Sequence, residues 1–119
     1  MGVNKRTVGL FYEKEAVQHL ECLGYRLITQ NYWTDSGEID LVLIKDQTLY
    51  FVEVKYRSSD AFGSPRQAIT YKKKINMKKS AMHYLKANHG DYQSFSISFM
   101  GITREANRLK FDFIENIFD

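Results

Sequence analysis

Apolar side chains recur along this chain of 119 residues at two spacings, one typical of helices and one of strands. Helical spacing over residues 5–23 predicts a first helix with apolar positions at Val8, Tyr12, Ala16, Leu20 and Leu23. Gly24 then supplies a helix stop. A second helix is predicted from an N-cap at Ser64, with a capping-box Gln67, to about Ala87. Its inward positions are predicted to be Ala68, Tyr71, Ile75, Met82 and Leu85.

Alternation of apolar and polar residues predicts five strands, which cover residues 25–33, 38–45, 48–57, 94–103 and 109–113. Short polar turns separate the second strand from the third and the fourth from the fifth. The order is therefore helix, three strands, helix and two strands, which places the chain in the α/β class. A length of 119 residues predicts a single domain over residues 1–119.

Composition is typical of a soluble globular protein, with 44% hydrophobic and 26% charged residues. No apolar run approaches the roughly 20 residues that a membrane helix requires. The basic residues near the start are not followed by the apolar stretch of a secretory signal. A single cysteine, Cys22, excludes an internal disulfide framework and fits a reducing compartment. We therefore expect a cytoplasmic protein with no membrane partner.

Two acids lie inside the apolar runs of neighbouring predicted strands, Asp40 in the second and Glu53 in the third. If the turn between these strands is centred between Asp46 and Gln47, residue 40 lies opposite residue 53. Like charges that face each other across a ladder destabilise a sheet. A cation between the two carboxylates would remove this cost, so the pair predicts a metal site.

A third acid, Glu13, falls inside the apolar arc of the first helix, where it is costly unless it is paired or bound to a ligand. Mg²⁺ and Mn²⁺ prefer oxygen ligands, and Mg²⁺ keeps several waters, so two or three carboxylates suffice. The predicted ligands are Asp40, Glu53, the carbonyl of Val54 and Glu13. Lys55 projects from the face of Glu53 and could activate water or neutralise charge on a phosphate. This set of groups suits hydrolysis of a phosphodiester.

Simpler interpretations exist for each of these residues. A Glu-x-Lys pair on a strand is usually a solvated ion pair worth about 0–1 kcal/mol. Asp40 could merely end a strand, and Glu13 could pair with a neighbouring basic residue. Glu38 shares the face of Asp40 but is expected to contact solvent or an arginine. The convergence of three acids in apolar contexts favours the metal site.

The net charge of +3 fits a phosphate-bearing partner without requiring one. Lys72, Lys79 and Lys86 repeat every seven residues along the second predicted helix, either as a soluble face or as contacts to phosphates. Gln67 is either the capping residue or a substrate contact. The candidate nucleic-acid contacts are Arg57, Gln67, Lys72, Lys73 and Lys79.

Several motifs together carry a family resemblance: Tyr12-Glu13-x-x-Ala16, Gly37-Glu38-Ile39-Asp40-Leu41-Val42, Phe51-Val52-Glu53-Val54-Lys55-x-Arg57 and Ala81-x-x-Tyr84-Leu85. With these motifs the chain resembles the YraN family of small bacterial proteins, and the similarity extends over nearly its whole length. This family looks like a branch of the PD-(D/E)xK nuclease superfamily and is similar to archaeal Holliday-junction resolvases.

The resemblance implies a restriction-endonuclease-like α-β-β-β-α-β core, with a mixed central sheet, an extra C-terminal strand and flanking helices. It also implies that Asp40 and Glu53 are metal ligands, that Lys55 is the catalytic lysine and that Glu13 is the first-helix acid. Gln67-x-x-x-Tyr71 resembles the glutamine–tyrosine helix motif of exonucleases related to RecB. Resolvases of this kind act as dimers on branched DNA, which implies a homodimer here.

The chain departs from the family where the fourth strand begins, because Ser94 and Ser96 stand where the family commonly has Arg and Asp. The first hypothesis is a Mg²⁺- or Mn²⁺-dependent DNA endonuclease that acts in repair or recombination. The second is a nucleic-acid-binding module with the same fold but little or no cleavage activity. The third is a protein-interaction domain whose carboxylates bind structural cations.

Overall fold

The computed structural model describes residues 4–58, 69–90 and 92–118. These residues form two helices and five strands, in the order that the sequence predicts. They are α1 (Lys5–Cys22), β1 (Arg26–Thr34), β2 (Gly37–Lys45), β3 (Thr48–Arg57), α2 (Tyr71–Ala87), β4 (Ser94–Glu105) and β5 (Arg108–Ile114). The strand boundaries lie close to those expected from the alternation of apolar and polar residues.

The five strands form one sheet in the spatial order β1-β2-β3-β4-β5. β3 and β4 are parallel, and the other neighbouring strands are antiparallel. The sheet is therefore mixed, and α2 lies in the crossover that a parallel pair requires. This architecture confirms the predicted fold class, an α-β-β-β-α-β core with an extra C-terminal strand.

The two helices pack on opposite faces of the sheet. Under α1, Tyr12, Ala16 and Leu20 join a buried cluster with Leu41, Leu43, Val52, Met100 and Ile102. Under α2, Met77, Ala81 and Tyr84 join a second cluster with Ile39, Val42, Leu49, Phe51, Ile97 and Phe99. Both faces of the central strands are thus covered, which explains why these strands read as nearly continuous apolar runs.

The second helix begins later than the sequence predicted. Thr70 is its N-cap, with extended backbone angles, and its side chain accepts a hydrogen bond from the backbone N–H of Lys73. The described helix therefore starts at Tyr71, and the predicted cap at Ser64, with Gln67 and Ala68, lies outside the described residues. The helix begins after Thr70 because the side chain of this residue accepts a hydrogen bond from a free N–H group of the first turn.

The buried face of α2 also differs from the prediction. Met77, Ser80, Ala81 and Tyr84 are the buried positions. Tyr71 is 75% exposed, and Met82 is exposed as well, so their predicted inward orientation was wrong. The hydroxyl of Ser80 lies 2.7 Å from that of Thr34 on β1. This contact holds the polar side chain of Ser80 against the sheet. The apolar residues on the other side of the helix consequently face solvent.

Within the described residues, neither helix is long and apolar enough to cross a membrane.

Candidate metal centre

The β2–β3 hairpin has the register that the sequence predicted. Lys45 pairs with Thr48, and the recorded pairs continue to Leu41 and Val52. Asp46 and Gln47 both have positive φ, 50° and 67°, as a two-residue type I′ turn requires. This register makes positions 40 and 53 the next pair along the hairpin.

Next to the pair of Leu41 and Val52, the side chain of Asp40 takes the place of a backbone acceptor in the hydrogen bonding between β2 and β3. Its Oδ2 accepts a 2.8 Å hydrogen bond from the backbone N–H of Val54. Asp40 is only 7% exposed. Its carboxylate therefore lies buried between β2 and β3 and is held in place by the backbone of β3.

The alternation of side chains along β2 is interrupted at Asp40. Ile39 packs with Val42 in the cluster under α2, whereas Leu41 packs in the cluster under α1. Strict alternation would place Ile39 and Leu41 on the same face. On the neighbouring strand, Asn31 adopts a positive φ of 55°. Regular alternation along β2 would place Asp40 and Val42 on one face, but the interruption at Asp40 separates them.

Three carboxylates converge beside this turn. Glu13 of α1, Glu38 of β2 and Asp40 each offer one oxygen, and these oxygens lie within 4.8 Å of one another. Glu38 was expected to contact solvent or an arginine, but the structure places it in this acid group. The sequence signal for this placement is the spacing of two residues between Glu38 and Asp40, which puts both side chains on one face of a regular strand. We refer to Glu13, Glu38 and Asp40 as the acid group.

Glu53 lies beside the acid group but outside it. Its Oε2 is 3.1 Å from Nζ of Lys73, and its side chain is 14% exposed. Although the separation is that of an ion pair, this buried oxygen has no properly aligned hydrogen-bond donor in the described chain. Lys73 faces this carboxylate from the first turn of α2, and its contact with nucleic acid stays a prediction.

Burial and mutual repulsion raise the pKa values of all three ligand candidates. The pKa of Asp40 rises to about 8, because of burial first and then the charge of Glu53, against the opposing hydrogen bond from Val54. The pKa of Glu13 rises to about 7 through burial and the charges of Glu38 and Glu53. Burial also raises the pKa of Glu53, although Lys73 and Lys55 oppose the change. Near neutral pH Asp40 and Glu13 therefore hold protons that a cation could replace.

The residues present fit a hard divalent cation. Oε2 of Glu53 faces Nζ of Lys73, but Oε1 of Glu13 is buried without a hydrogen-bond partner in the described part of the chain. Buried polar atoms are normally hydrogen-bonded, so such an oxygen calls for a ligand. The donors are carboxylate oxygens without sulfur or imidazole, the ligand set that suits Mg²⁺ or Mn²⁺.

The remaining predicted residues are distributed around the acids. Lys55 is exposed and lines a cleft with Glu53 and Lys73. Arg57 lines an adjoining depression with Lys55, and its Nη1 is buried with no partner in the described residues. Lys72, Lys79 and Lys86 are exposed on α2. Val54 contributes its N–H to Asp40, while its carbonyl remains a predicted ligand.

The two serines at positions where the resemblance implies Arg and Asp lie at the far end of the sheet. Ser94 pairs with Thr48, at the start of β3, and their hydroxyl oxygens are 2.8 Å apart. Ser96 is buried; its hydroxyl lies 2.6 Å from that of Ser98 and accepts the backbone N–H of Asn116 at 3.0 Å. Glu53, by contrast, lies near the end of β3. The departure is therefore remote from the acid group.

Comparison with known proteins identifies related sequences without a described activity. A family model described as "Uncharacterised protein family UPF0102" matches residues 12–115. A UPF0102 protein from Syntrophomonas wolfei is 41% identical over 113 residues, covering 95% of this chain and 98% of the relative. One from Carboxydothermus hydrogenoformans is 34% identical, covering 98% and 99%. One from Alkaliphilus oremlandii is 37% identical, covering 98% and 100%.

Proposed function

The chain belongs to the UPF0102 family, the YraN family that its motifs resemble, and we propose that it is a Mg²⁺- or Mn²⁺-dependent DNA endonuclease. One observation carries the proposal: oxygens of Glu13, Glu38 and Asp40 lie within 4.8 Å of one another, and Oε1 of Glu13 is buried without a hydrogen-bond partner in the described residues. The resemblance to PD-(D/E)xK nucleases supports it from the sequence. Both lines point to hydrolysis of a phosphodiester.

Each acid has a distinct part in holding the cation. Asp40, held by the N–H of Val54, and Glu53, whose charge acts on Asp40, would be the central ligands. Glu13 of α1 and Glu38, whose oxygens lie near that of Asp40, would bind the cation or a water beside it. A divalent cation bound here supplies the Lewis acidity that polarises the phosphodiester and lowers the pKa of an attacking water.

Lys55 and Arg57 supply positive charge on the substrate side. The amine of Lys55 is exposed near Glu53, where it orients or deprotonates the attacking water or neutralises charge that builds on the phosphate. Arg57 adds a guanidinium suited to a phosphate oxygen. The resolvase resemblance extends the proposal to branched DNA and to a homodimer.

A second candidate function is a nucleic-acid-binding module that cleaves little or nothing. The specific observation in its favour is Lys73, which neutralises Glu53 from within the chain. An internal cation at this position allows the fold to persist without a metal. The exposed lysines of α2 then remain available for phosphates.

A cleavage assay distinguishes the two functions. Wild type, Asp40→Asn and Lys55→Met are incubated with duplex, single-stranded, flapped and four-way DNA, in Mn²⁺ and in chelator. We expect cleavage that requires Mn²⁺ and falls by about 10²–10³ in both variants, as for loss of one stabilising group at a reaction centre. Lys110→Met, on the exposed surface of β5, is the matched control and should cleave like wild type.

The opposite result is equally clear. If no substrate is cut in Mn²⁺ but wild type and Lys55→Met both bind DNA in a salt-sensitive manner, the binding module is the correct function.

A further inference from the structure

A cleft opens beside the acid group, between the start of α1 and the end of β1. Its volume is about 330 Å³, at the lower end of the roughly 300–1,000 Å³ that ligand sites occupy. Lys5, Arg6 and Leu10 line it from α1, and Trp33 lines it from β1. Glu13 and Glu38, two members of the acid group, form its remaining wall, so the cleft and the candidate metal centre are continuous.

Trp33 is the most unusual residue of this cleft. It is the only tryptophan in the chain, and its side chain is 66% exposed. It pairs with Glu38 across the β1–β2 ladder, and residues directly opposite each other project to the same side of a sheet. The indole therefore stands next to the acid group. Leu10, 44% exposed, extends the apolar surface on the facing helix.

The cleft also carries positive charge. Lys5 and Arg6 are exposed at the start of α1. The charge of Arg6 acts on Glu13, where it partly opposes the rise that burial causes in the pKa of that carboxyl. A flat aromatic surface beside cations is the combination that binds single-stranded nucleic acid, by base stacking and phosphate contact. A base inside a duplex is already covered on both faces by its neighbours and could not stack on an indole.

We propose that this cleft binds an unpaired nucleotide of a nucleic-acid strand, with its base stacked on Trp33 and its phosphates beside Lys5 and Arg6. The inference rests on the proposed function, because the strand is delivered to the neighbouring acid group. It narrows the substrate to DNA that carries unpaired bases at the cleavage site, such as a flap or an open junction. Continuous duplex lacks the feature that the cleft recognises.

Because Trp33 is the sole tryptophan, its fluorescence reports directly on the cleft. Wild type is titrated with a short oligothymidylate in chelator at low salt. We expect saturable quenching of the tryptophan emission as a thymine base stacks on the indole. A blunt duplex of equal length should give much weaker quenching at the same concentration.

Matched variants locate the binding site. Trp33→Ala should weaken binding of a labelled oligothymidylate about ten-fold or more, whereas Trp33→Phe should retain most of the affinity. Phe95→Ala removes an aromatic residue, 38% exposed, from the opposite end of the sheet and should bind like wild type. The double variant Lys5→Ala/Arg6→Ala should reduce the slope of log K against log salt by about 1.4. Arg108→Ala/Lys110→Ala, on the opposite edge strand, should leave that slope unchanged.

Three results of the oligothymidylate titrations would overturn the inference. They are an oligothymidylate that does not bind, one that binds without quenching, and one whose affinity survives Trp33→Ala. A fluorescence change with protein concentration alone would also overturn it, since a second copy of the chain would then cover the cleft. The titration is made in chelator, so its outcome does not depend on cleavage. If the protein cuts DNA but the emission of Trp33 does not change, the proposed function stands and only the nucleotide subsite at Trp33 is rejected.

Discussion

The backbone N–H of Val54 donates a 2.8 Å hydrogen bond to Oδ2 of Asp40, just beyond the last recorded pair of the β2–β3 ladder. The bond favours the ionised carboxylate, but burial and the charge of Glu53 outweigh it and raise the pKa of Asp40 to about 8. Asp40 is therefore fixed in position and yet electrostatically unfavourable as an anion. Such a group responds measurably to pH and to cations.

The first prediction concerns the stability of the protein in chelator. The unfolded chain releases the proton of Asp40 near its ordinary pKa of 3.8, whereas the folded protein retains it up to about 8. Between these values the folded state binds more protons, so the free energy of unfolding falls as pH rises. We expect the Tm in chelator to fall by several degrees between about pH 5 and about pH 8, measured by calorimetry.

Asp40→Asn tests the origin of this pH dependence. The amide oxygen can still accept the N–H of Val54, but the side chain no longer titrates. The variant should show a shallower fall and melt at or above the wild-type temperature at alkaline pH. Glu21→Gln, an exposed change on α1, should keep the wild-type profile. A large loss of Tm in Asp40→Asn at every pH would instead indicate a structural role for the carboxylate.

The second prediction concerns Mn²⁺, which should raise the Tm of wild type. A ligand that binds only the folded state stabilises it, and here it must displace protons from Asp40 and Glu13. The increase should therefore be larger at about pH 8 than at about pH 6, since fewer protons remain to be displaced. Calorimetric titration in two buffers of different ionisation enthalpy measures the proton release.

Binding of Mn²⁺ should disappear in Asp40→Asn and in Glu53→Gln and persist in Glu21→Gln. Equal binding in all three proteins would place the cation elsewhere on the chain.

The third prediction concerns Lys73, whose Nζ lies 3.1 Å from Oε2 of Glu53. Lys73→Met removes a cation that competes with a metal for this carboxylate, so Mn²⁺ should bind a few-fold more tightly. In chelator the same variant should be less stable than wild type at alkaline pH, because Glu53 loses the charge that lowers its pKa. Titration calorimetry and thermal melts measure the two effects.

Lys72→Met is the matched control for Lys73, since it lies one residue away and is exposed. It should change neither the affinity for Mn²⁺ nor the Tm in chelator. Weaker binding of Mn²⁺ in Lys73→Met would show that this lysine supports the site rather than competing for it.

The fourth prediction concerns Ser96, one of the two departures from the family pattern. Ser96→Ala leaves the backbone N–H of Asn116 and the buried hydroxyl of Ser98 without this partner. An unsatisfied buried polar group costs about 1–3 kcal/mol, so denaturant unfolding should show a loss of that size. Mn²⁺ affinity should be unchanged, because Ser96 lies at the far end of the sheet.

Ser94→Ala provides the comparison for Ser96. Its hydroxyl contacts Thr48 but is exposed, so the loss should be within about 0.5 kcal/mol. A change in Mn²⁺ affinity in either serine variant would contradict the separation between this end of the sheet and the acid group.

Most of the fold could be predicted because its helices and strands depend on patterns among residues that are close in sequence. The helical period of α1 and the alternation of the strands are visible in sequence. The hairpin register followed from one turn, since Asp46 and Gln47 fix the pairing of the residues on either side. Asp40 and Glu53 could be placed together for the same reason. The start of α2 at Tyr71, with Thr70 as its cap, was not predicted, because the cap pattern at Ser64 was taken as the start of one continuous helix.

The order of the elements, the hairpin register and the type of ligand atoms could be predicted, because these depend on residues close together along the chain. The placement of Glu38 with Glu13, of Lys73 against Glu53 and of an exposed Trp33 beside the acids became visible only in the folded chain. Such contacts join α1, α2 and the sheet. Local periodicity was enough to predict that α1 buries Tyr12, Ala16 and Leu20, but the face that α2 buries depends on its contacts with segments distant in sequence.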